Sequence, residues 1–179
     1  TMVVGNLSAI GQTNVKRILA YSSIAHVGYM LMGLVTLDRS GLTAIIFYLI
    51  AYCAMNIGAF WVVGVVSNLR GREDLDAFRG MGWSMPVLGT CMGVFIFSLT
   101  GIPMFSGFIG KFLIFGSVIK SGGFLWLALL GVLNSVVSLY YYIKILKSMW
   151  LDKPEIAESL TLSPYHAFGL VGLAIPTVV

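Results

Sequence analysis

The chain has 179 residues, of which 58% are hydrophobic and only 10% charged, with a mean hydropathy of +0.94. Soluble domains average about 25% charged residues, so this composition excludes a water-soluble globular protein and requires lipid around much of the surface. The net charge of +4 does not indicate nucleic acid, because the basic residues sit at the ends of apolar segments rather than along one exposed face.

Residues 1–13 read as the tail of a preceding helix, closed by Gly11, Gln12, Thr13 and Asn14, with Thr13 or Asn14 suited to cap the next helix. A first apolar span runs over 15–37, long enough to cross a core of roughly 30 Å, with Lys16 and Arg17 marking its start. Asp38-Arg39-Ser40-Gly41 turns the chain into a second span over 42–67. The charged stretch 68–80 belongs in water. A long apolar run over 85–120 comes after it; as one straight helix its length would be about 54 Å, beyond any bilayer core. Gly101, Pro103, Gly107 and Gly110 predict a break near 101–110. Ser121-Gly122-Gly123 leads to a span over 124–146, and a polar stretch over 151–163 leads to the start of a last helix over 164–179. The fold class expected is an all-α, polytopic transmembrane bundle with one discontinuous helix, a fragment of a longer protein.

The basic residues test the number of crossings. If the broken run crosses once, Lys16, Arg17, Arg70, Arg72, Arg79, Lys144, Lys147 and Lys153 share one side, and only Arg39 and Lys120 fall on the other. That asymmetry is what the positive-inside rule expects, with the eight in the cytoplasm. A re-entrant hairpin would reduce the bias to five against five.

Lys111 is the only formally charged side chain between Pro86 and Val118. A lysine at the bilayer centre is disfavoured by about 2.5–3.5 kcal/mol on insertion scales, and the backbone groups freed by a helix break must find partners away from lipid. Such a feature points to function. A lysine can change protonation state within a transport cycle, whereas an arginine cannot, so Lys111 is the main candidate for an ion or proton path. Three polar stripes accompany it at i, i+4, i+7 or similar spacing. They are Ser22, His26 and Tyr29; Tyr48, Tyr52 and Asn56; and Asn134, Ser138 and Tyr141. Interhelical hydrogen bonding, at about 0.6 kcal/mol per pair, accounts for a single stripe; three beside a broken helix favour a hydrated path. His26 can take a proton on one ring nitrogen and release it from the other. Lys16 is first a topology anchor and second a candidate for feeding a channel, and His166 is expected at the interface. Cys53 and Cys91 stand alone and read as small buried hydrophobes. No metal, haem, iron–sulfur or dinucleotide pattern is present, and no catalytic residue of a chemical reaction is indicated.

Two stretches carry a family resemblance. Gln-Thr-Asn-Val-Lys-Arg-Ile-Leu-Ala-Tyr-Ser-Ser-Ile-Ala-His-Val-Gly-Tyr (12–29) and Ser-Leu-Thr-Gly-Ile-Pro-Met-Phe-Ser-Gly-Phe-Ile-Gly-Lys-Phe (98–112) resemble the antiporter-like membrane subunits of respiratory complex I. Asn134-Ser135 with Ser138-Leu139-Tyr140-Tyr141-Tyr142 and Lys144 is similar to the subunit N (subunit 2) branch. The resemblance implies the second half of a fourteen-helix subunit made of two inverted five-helix repeats. It places Lys111 on the proton path of the second broken helix and Lys16 and His26 at family motif positions. It also implies complex I membrane subunits as partners in a bacterial plasma membrane or equivalent. FMN, iron–sulfur clusters and quinone are then expected in those partners and no cofactor in this chain. A subunit of a multisubunit cation/proton antiporter is the alternative.

Overall fold

Backbone amides in lipid have no water to bond to, so apolar runs of this length are stable only as helices or closed barrels. The computed structural model describes residues 1–153 and 163–178, and every regular element within them is a helix. α1 spans Met2–Ile10, α2 Val15–Val35, α3 Arg39–Arg70, α4 Met81–Ser84, α5 Pro86–Thr100, α6 Ser106–Lys120, α7 Leu125–Trp150 and α8 Pro164–Ala174. Of these, α2, α3 and α7 are each long and apolar enough to cross a membrane alone. The polar stretch expected over 151–163 and the terminal Val179 lie mostly outside the described residues.

Local signals set the helix ends. Asn14 caps α2, its side-chain oxygen accepting from the Arg17 N–H at 2.9 Å. Asp38 caps α3 in the same way through the Gly41 N–H at 2.7 Å. That bond, with others from the Thr36 and Ser40 hydroxyls, holds the Asp38 carboxyl below its ordinary range. α3 stops at Gly71, whose φ of 67° places it in the left-handed region. The charged stretch after α3 folds back on the start of α2: Val15 N–H donates to Glu73 O at 2.8 Å and Leu75 N–H to Thr13 O at 2.9 Å. Arg70 reaches the carbonyls of Ala77 and Arg79, so the loop is tied to the end of α3 as well.

α3 serves as a ruler for the long run after it. The Phe95 ring of α5 fills the space beside Gly58, the Tyr48 ring covers Gly110 of α6, and Arg39, Thr43 and Ala44 border a cleft with Phe112, Ser117 and Lys120. Contacts thus move steadily from the C-terminal part of α3 to its N-terminus as the chain advances through α5 and α6. The two half-helices succeed one another along α3 rather than folding back. The interruption between them is confined to 101–105; Gly107 and Gly110 lie inside α6. Their role is close approach, since a Cβ on Gly107 would strike the Ser98 carbonyl and one on Gly110 the Tyr48 ring.

α8 packs on α3 and α5. The Trp61 indole lies over Gly169 and donates to His166 Nδ1 at 3.1 Å, so His166 is half-buried and bonded. The turn after α8 brings Val178 into a backbone bridge with Phe105, one partner for the interrupted backbone. Outward faces carry Ile46, Ile50, Ile57, Leu129, Leu133 and Val136, all exposed, as lipid-facing helices do. Cys91 is buried, but Cys53 is exposed on α3. The expectation of two buried cysteines is corrected for Cys53, because an apolar face in lipid need not be covered by protein.

Candidate functional site

α5 ends in a Schellman pair: Gly101 N–H bonds to Ser98 O at 3.0 Å and Ile102 N–H to Phe97 O at 3.0 Å. Gly101 permits this with a φ of 87°. The motif leaves the last two carbonyls, Leu99 and Thr100, without backbone partners at the negative end of the helix. Lys111, one turn into α6, supplies them. Its Nζ donates to Leu99 O at 2.9 Å, Thr100 O at 2.9 Å and Ser135 Oγ of α7 at 3.0 Å. All three ammonium donors are used. The side chain is only 4% exposed and forms no ion pair with any described residue. The Tyr29 ring of α2 completes the surround, its centroid 5.0 Å from Nζ, within cation–π range.

A second cluster adjoins the first through Tyr29. The His26 ring meets the Tyr29 ring edge-on at 5.8 Å and lies 5.1 Å from the Tyr52 ring. His26 Nδ1 is 2.6 Å from the Tyr48 hydroxyl and Nε2 is 3.1 Å from the Tyr142 hydroxyl. Both nitrogens are therefore hydrogen-bonded, one as donor and one as acceptor in the neutral ring. On the other side of Tyr29, Asn6 of α1 is fully buried and bonds Tyr29, Asn134 and Tyr141.

The sequence candidates thus separate. Lys111, His26, Tyr29, Tyr48, Tyr52, Asn134 and Tyr141 come together between α2, α3, α6 and α7. Ser22 and Ser138 are buried beside them and donate within their own helices, to Leu19 O and Ser135 O, while they also face the Tyr142 and Tyr141 hydroxyls. Asn56 keeps a buried side-chain oxygen without a hydrogen-bond partner among the described residues. Gly101 and Pro103 lie in the interruption. Lys16 lies elsewhere, exposed and paired with Glu73 at 2.9 Å. Ser135, Tyr142 and Asn6 were not singled out by the stripes. Ser135, Ser138 and Tyr142 share a face of α7 at i, i+3, i+7 spacing, a signal adjacent to the one used. Among the described residues no group of three or more His, Cys, Asp or Glu side chains could hold a metal ion.

Fold and site together define a polytopic, all-helical membrane protein organised around a discontinuous helix whose interruption is held by a buried lysine. Residues 1–138 match the family described as NADH:quinone oxidoreductase/Mrp antiporter, transmembrane, and the chain belongs to that family. It is 50% identical to NADH-quinone oxidoreductase subunit N 2 of Sorangium cellulosum over 99% of its length, covering 36% of that protein. Among solved structures it is similar to a chain of respiratory complex I from Thermus thermophilus, with a TM-score of 0.82 and 35% identity, covering 97% of this chain and 39% of the other. It is also similar to a chain of the Mrp complex from Dietzia, with a TM-score of 0.81 and 30% identity, covering 93% and 32%. The chain spans little more than a third of the length of the first of these relatives.

Proposed function

We propose that the chain is the C-terminal part of a proton-translocating membrane subunit of NADH:quinone oxidoreductase, of the subunit N type, and that Lys111 carries the proton. The observation behind this reading is the lysine's setting: a buried ammonium resting on two carbonyls and a hydroxyl, with no carboxylate among the described residues paired to it. Neutral acceptors hold the charged form, yet deprotonation leaves no uncompensated anion behind, so the group can cycle between states.

The charged ammonium donates three bonds. On losing a proton, Nζ gains a lone pair that can accept one from a neighbouring donor. Tyr29 stands between Lys111 and His26, and His26 bridges two tyrosine hydroxyls, so the imidazole can receive a proton at one nitrogen as the other releases one. Tyr48, Tyr52, Tyr141, Asn134, Ser138, Ser22 and Asn56 line the surroundings and would order water along the route. Lys16 stands at an aqueous end of α2, where its charge would act on protons entering the path rather than carry them. The α5–α6 run crosses the membrane once in this reading, putting Lys111 between two aqueous faces, with Lys16 and its seven basic companions on the cytoplasmic side.

Electron transfer takes place in partner subunits, which hold FMN, iron–sulfur clusters and quinone; the host is a bacterial plasma membrane or an equivalent energy-transducing one. Coupling is electrostatic: a charge change next to the lysine alters the free energy of its protonated form. The likeness to the Mrp complex gives the second reading, a subunit of a cation/proton antiporter. Purification of the full-length protein from its membrane separates the two. Co-isolation of flavin- and iron–sulfur-containing subunits is the expected result, and their absence favours the antiporter. In the intact complex, Lys111→Met is expected to abolish proton uptake by vesicles; wild-type uptake would contradict the role given to Lys111.

A further inference from the structure

We infer that Asn6 is a positioning residue for the Lys111 site, an inference that rests on the proton-carrier reading above. Asn6 does not touch Lys111. It is 0% exposed, on a short helix, and its amide ties together the two groups that flank the ammonium. Its Nδ2 donates to the Tyr29 hydroxyl at 3.3 Å, and to the main-chain and side-chain oxygens of Asn134 at 3.0 and 3.1 Å. Its Oδ1 accepts from the Tyr141 hydroxyl at 2.9 Å.

Each bond has a geometric consequence at Nζ. Tyr29 presents its ring face to the ammonium, 5.0 Å away, and its hydroxyl is the one polar handle by which that ring can be held. Asn134 immediately precedes Ser135, whose hydroxyl is the third acceptor of Nζ. Asn134 donates from Nδ2 to Leu130 O of its own helix at 2.8 Å, and its side-chain and main-chain oxygens face the Asn6 amide. Asn6 therefore braces the ring from α2 and the hydroxyl turn from α7 against one another. Only an amide does so fully here: it offers donors to Tyr29 and Asn134 and an acceptor to Tyr141 without adding a charge. Gly5 next to it lets α1 approach α2 closely enough, since a Cβ there would strike the Ala25 and Tyr21 backbone.

Asn6 acts through contacts that favour the ammonium over the free amine, so its loss changes how pumping depends on pH. The titratable groups around Lys111 are Tyr29 and His26 on α2, Tyr48 on α3, and Tyr141 and Tyr142 on α7; α5 presents carbonyls. The test uses the full-length protein in the purified complex, reconstituted in vesicles, with proton uptake and quinone reduction followed across pH. Asn6→Leu keeps the number and branching of side-chain heavy atoms and removes the amide's hydrogen bonds. It is expected to lower uptake about tenfold at neutral pH, the weight of one lost hydrogen bond of typical size, and to move the alkaline limit of pumping to lower pH by about one unit. Tyr29→Phe removes only the hydroxyl and is expected to move the limit in the same direction by less.

Reduced uptake in Asn6→Leu with an unmoved pH profile marks a merely structural residue and overturns the inference, provided Lys111→Met is inactive. If Asn6→Leu does not assemble, Tyr29→Phe decides: a displaced profile upholds the brace and a wild-type profile overturns it. Wild-type pumping by Lys111→Met overturns the carrier reading itself and the brace with it.

Discussion

Two lysines in this chain are solvated in opposite ways. Lys16 stands at the aqueous end of α2, more than half exposed, with the Glu73 carboxylate 2.9 Å away. Lys111 is buried and meets a hydroxyl of α7 and two carbonyls that a helix break has released. The first is an ordinary surface pair, in which water shares the charge and the partner is itself anionic. Such pairs contribute little. The second depends on local backbone geometry, because the Leu99 and Thr100 carbonyls are available only where α5 stops. In the proposed reading the charge at membrane depth is matched by dipoles of the main chain, which do not titrate, and no carboxylate among the described residues has to change state with it.

The contrast can be broken most severely at Lys111. Lys111→Met is expected to reduce proton uptake at least tenfold in reconstituted complex, and to leave the Leu99 carbonyl without a side-chain partner and Thr100 O with only the Ser135 hydroxyl at 3.4 Å, at a cost of roughly 1–3 kcal/mol for the orphaned group. Thermal unfolding of the purified complex measures the second effect. Gly107→Ala attacks the same place from the backbone. A methyl group there strikes the Ser98 carbonyl, so α5 and α6 must separate, with about 1–3 kcal/mol lost to overpacking and a several-fold fall in uptake. His26→Leu is expected to be next in size. It strands the Tyr48 and Tyr142 hydroxyls and lowers uptake while quinone reduction persists in part, which parallel assays on one preparation resolve.

The smallest effect belongs to the surface pair. The hydrogen bond from Lys16 is the leading reason that the Glu73 carboxyl titrates below its ordinary value. A carboxyl lowered by folding contributes stability that is complete above its unfolded value and drains away as pH falls through the folded one. Glu73→Gln is therefore expected to leave stability at neutral pH nearly unchanged and to flatten its decline in acid, as thermal melts across pH would show. Screening by salt should shrink even that difference.

The features of this molecule differ in how legible they were in the sequence, according to what each depends on. The interruption and its lysine could be read directly, because proline, glycine and a charge in an apolar run are each costly in lipid. The extent of the break could not: Gly107 and Gly110 weaken a helix in isolation, but here they are helical and serve the close packing of Ser98 and Tyr48. The stripes found His26, Tyr29, Tyr48 and Asn134, since helical periodicity fixes which residues share a face. Ser135 and Tyr142 lie in the motif over 134–144 but off the stripe through Asn134, Ser138 and Tyr141, because α7 turns two neighbouring faces toward polar groups and a single stripe describes only one. Asn6 gave no periodic signal at all, being a lone amide on a short helix. The main-chain acceptors of Lys111 are invisible in any sequence, because every residue carries a carbonyl and only the fold says which are unpaired. Family membership, by contrast, was readable from the two motif stretches over 12–29 and 98–112.

The most direct test of the role given to Lys111 sets the two lysines against each other. Full-length protein carrying Lys111→Met or Lys16→Gln is assembled in the complex, reconstituted in vesicles, and protons taken up per quinone reduced are measured. A proton carrier at Lys111 predicts a large loss for Lys111→Met and a near-normal ratio for Lys16→Gln. A normal ratio for Lys111→Met, or equal losses in the two variants, would contradict it.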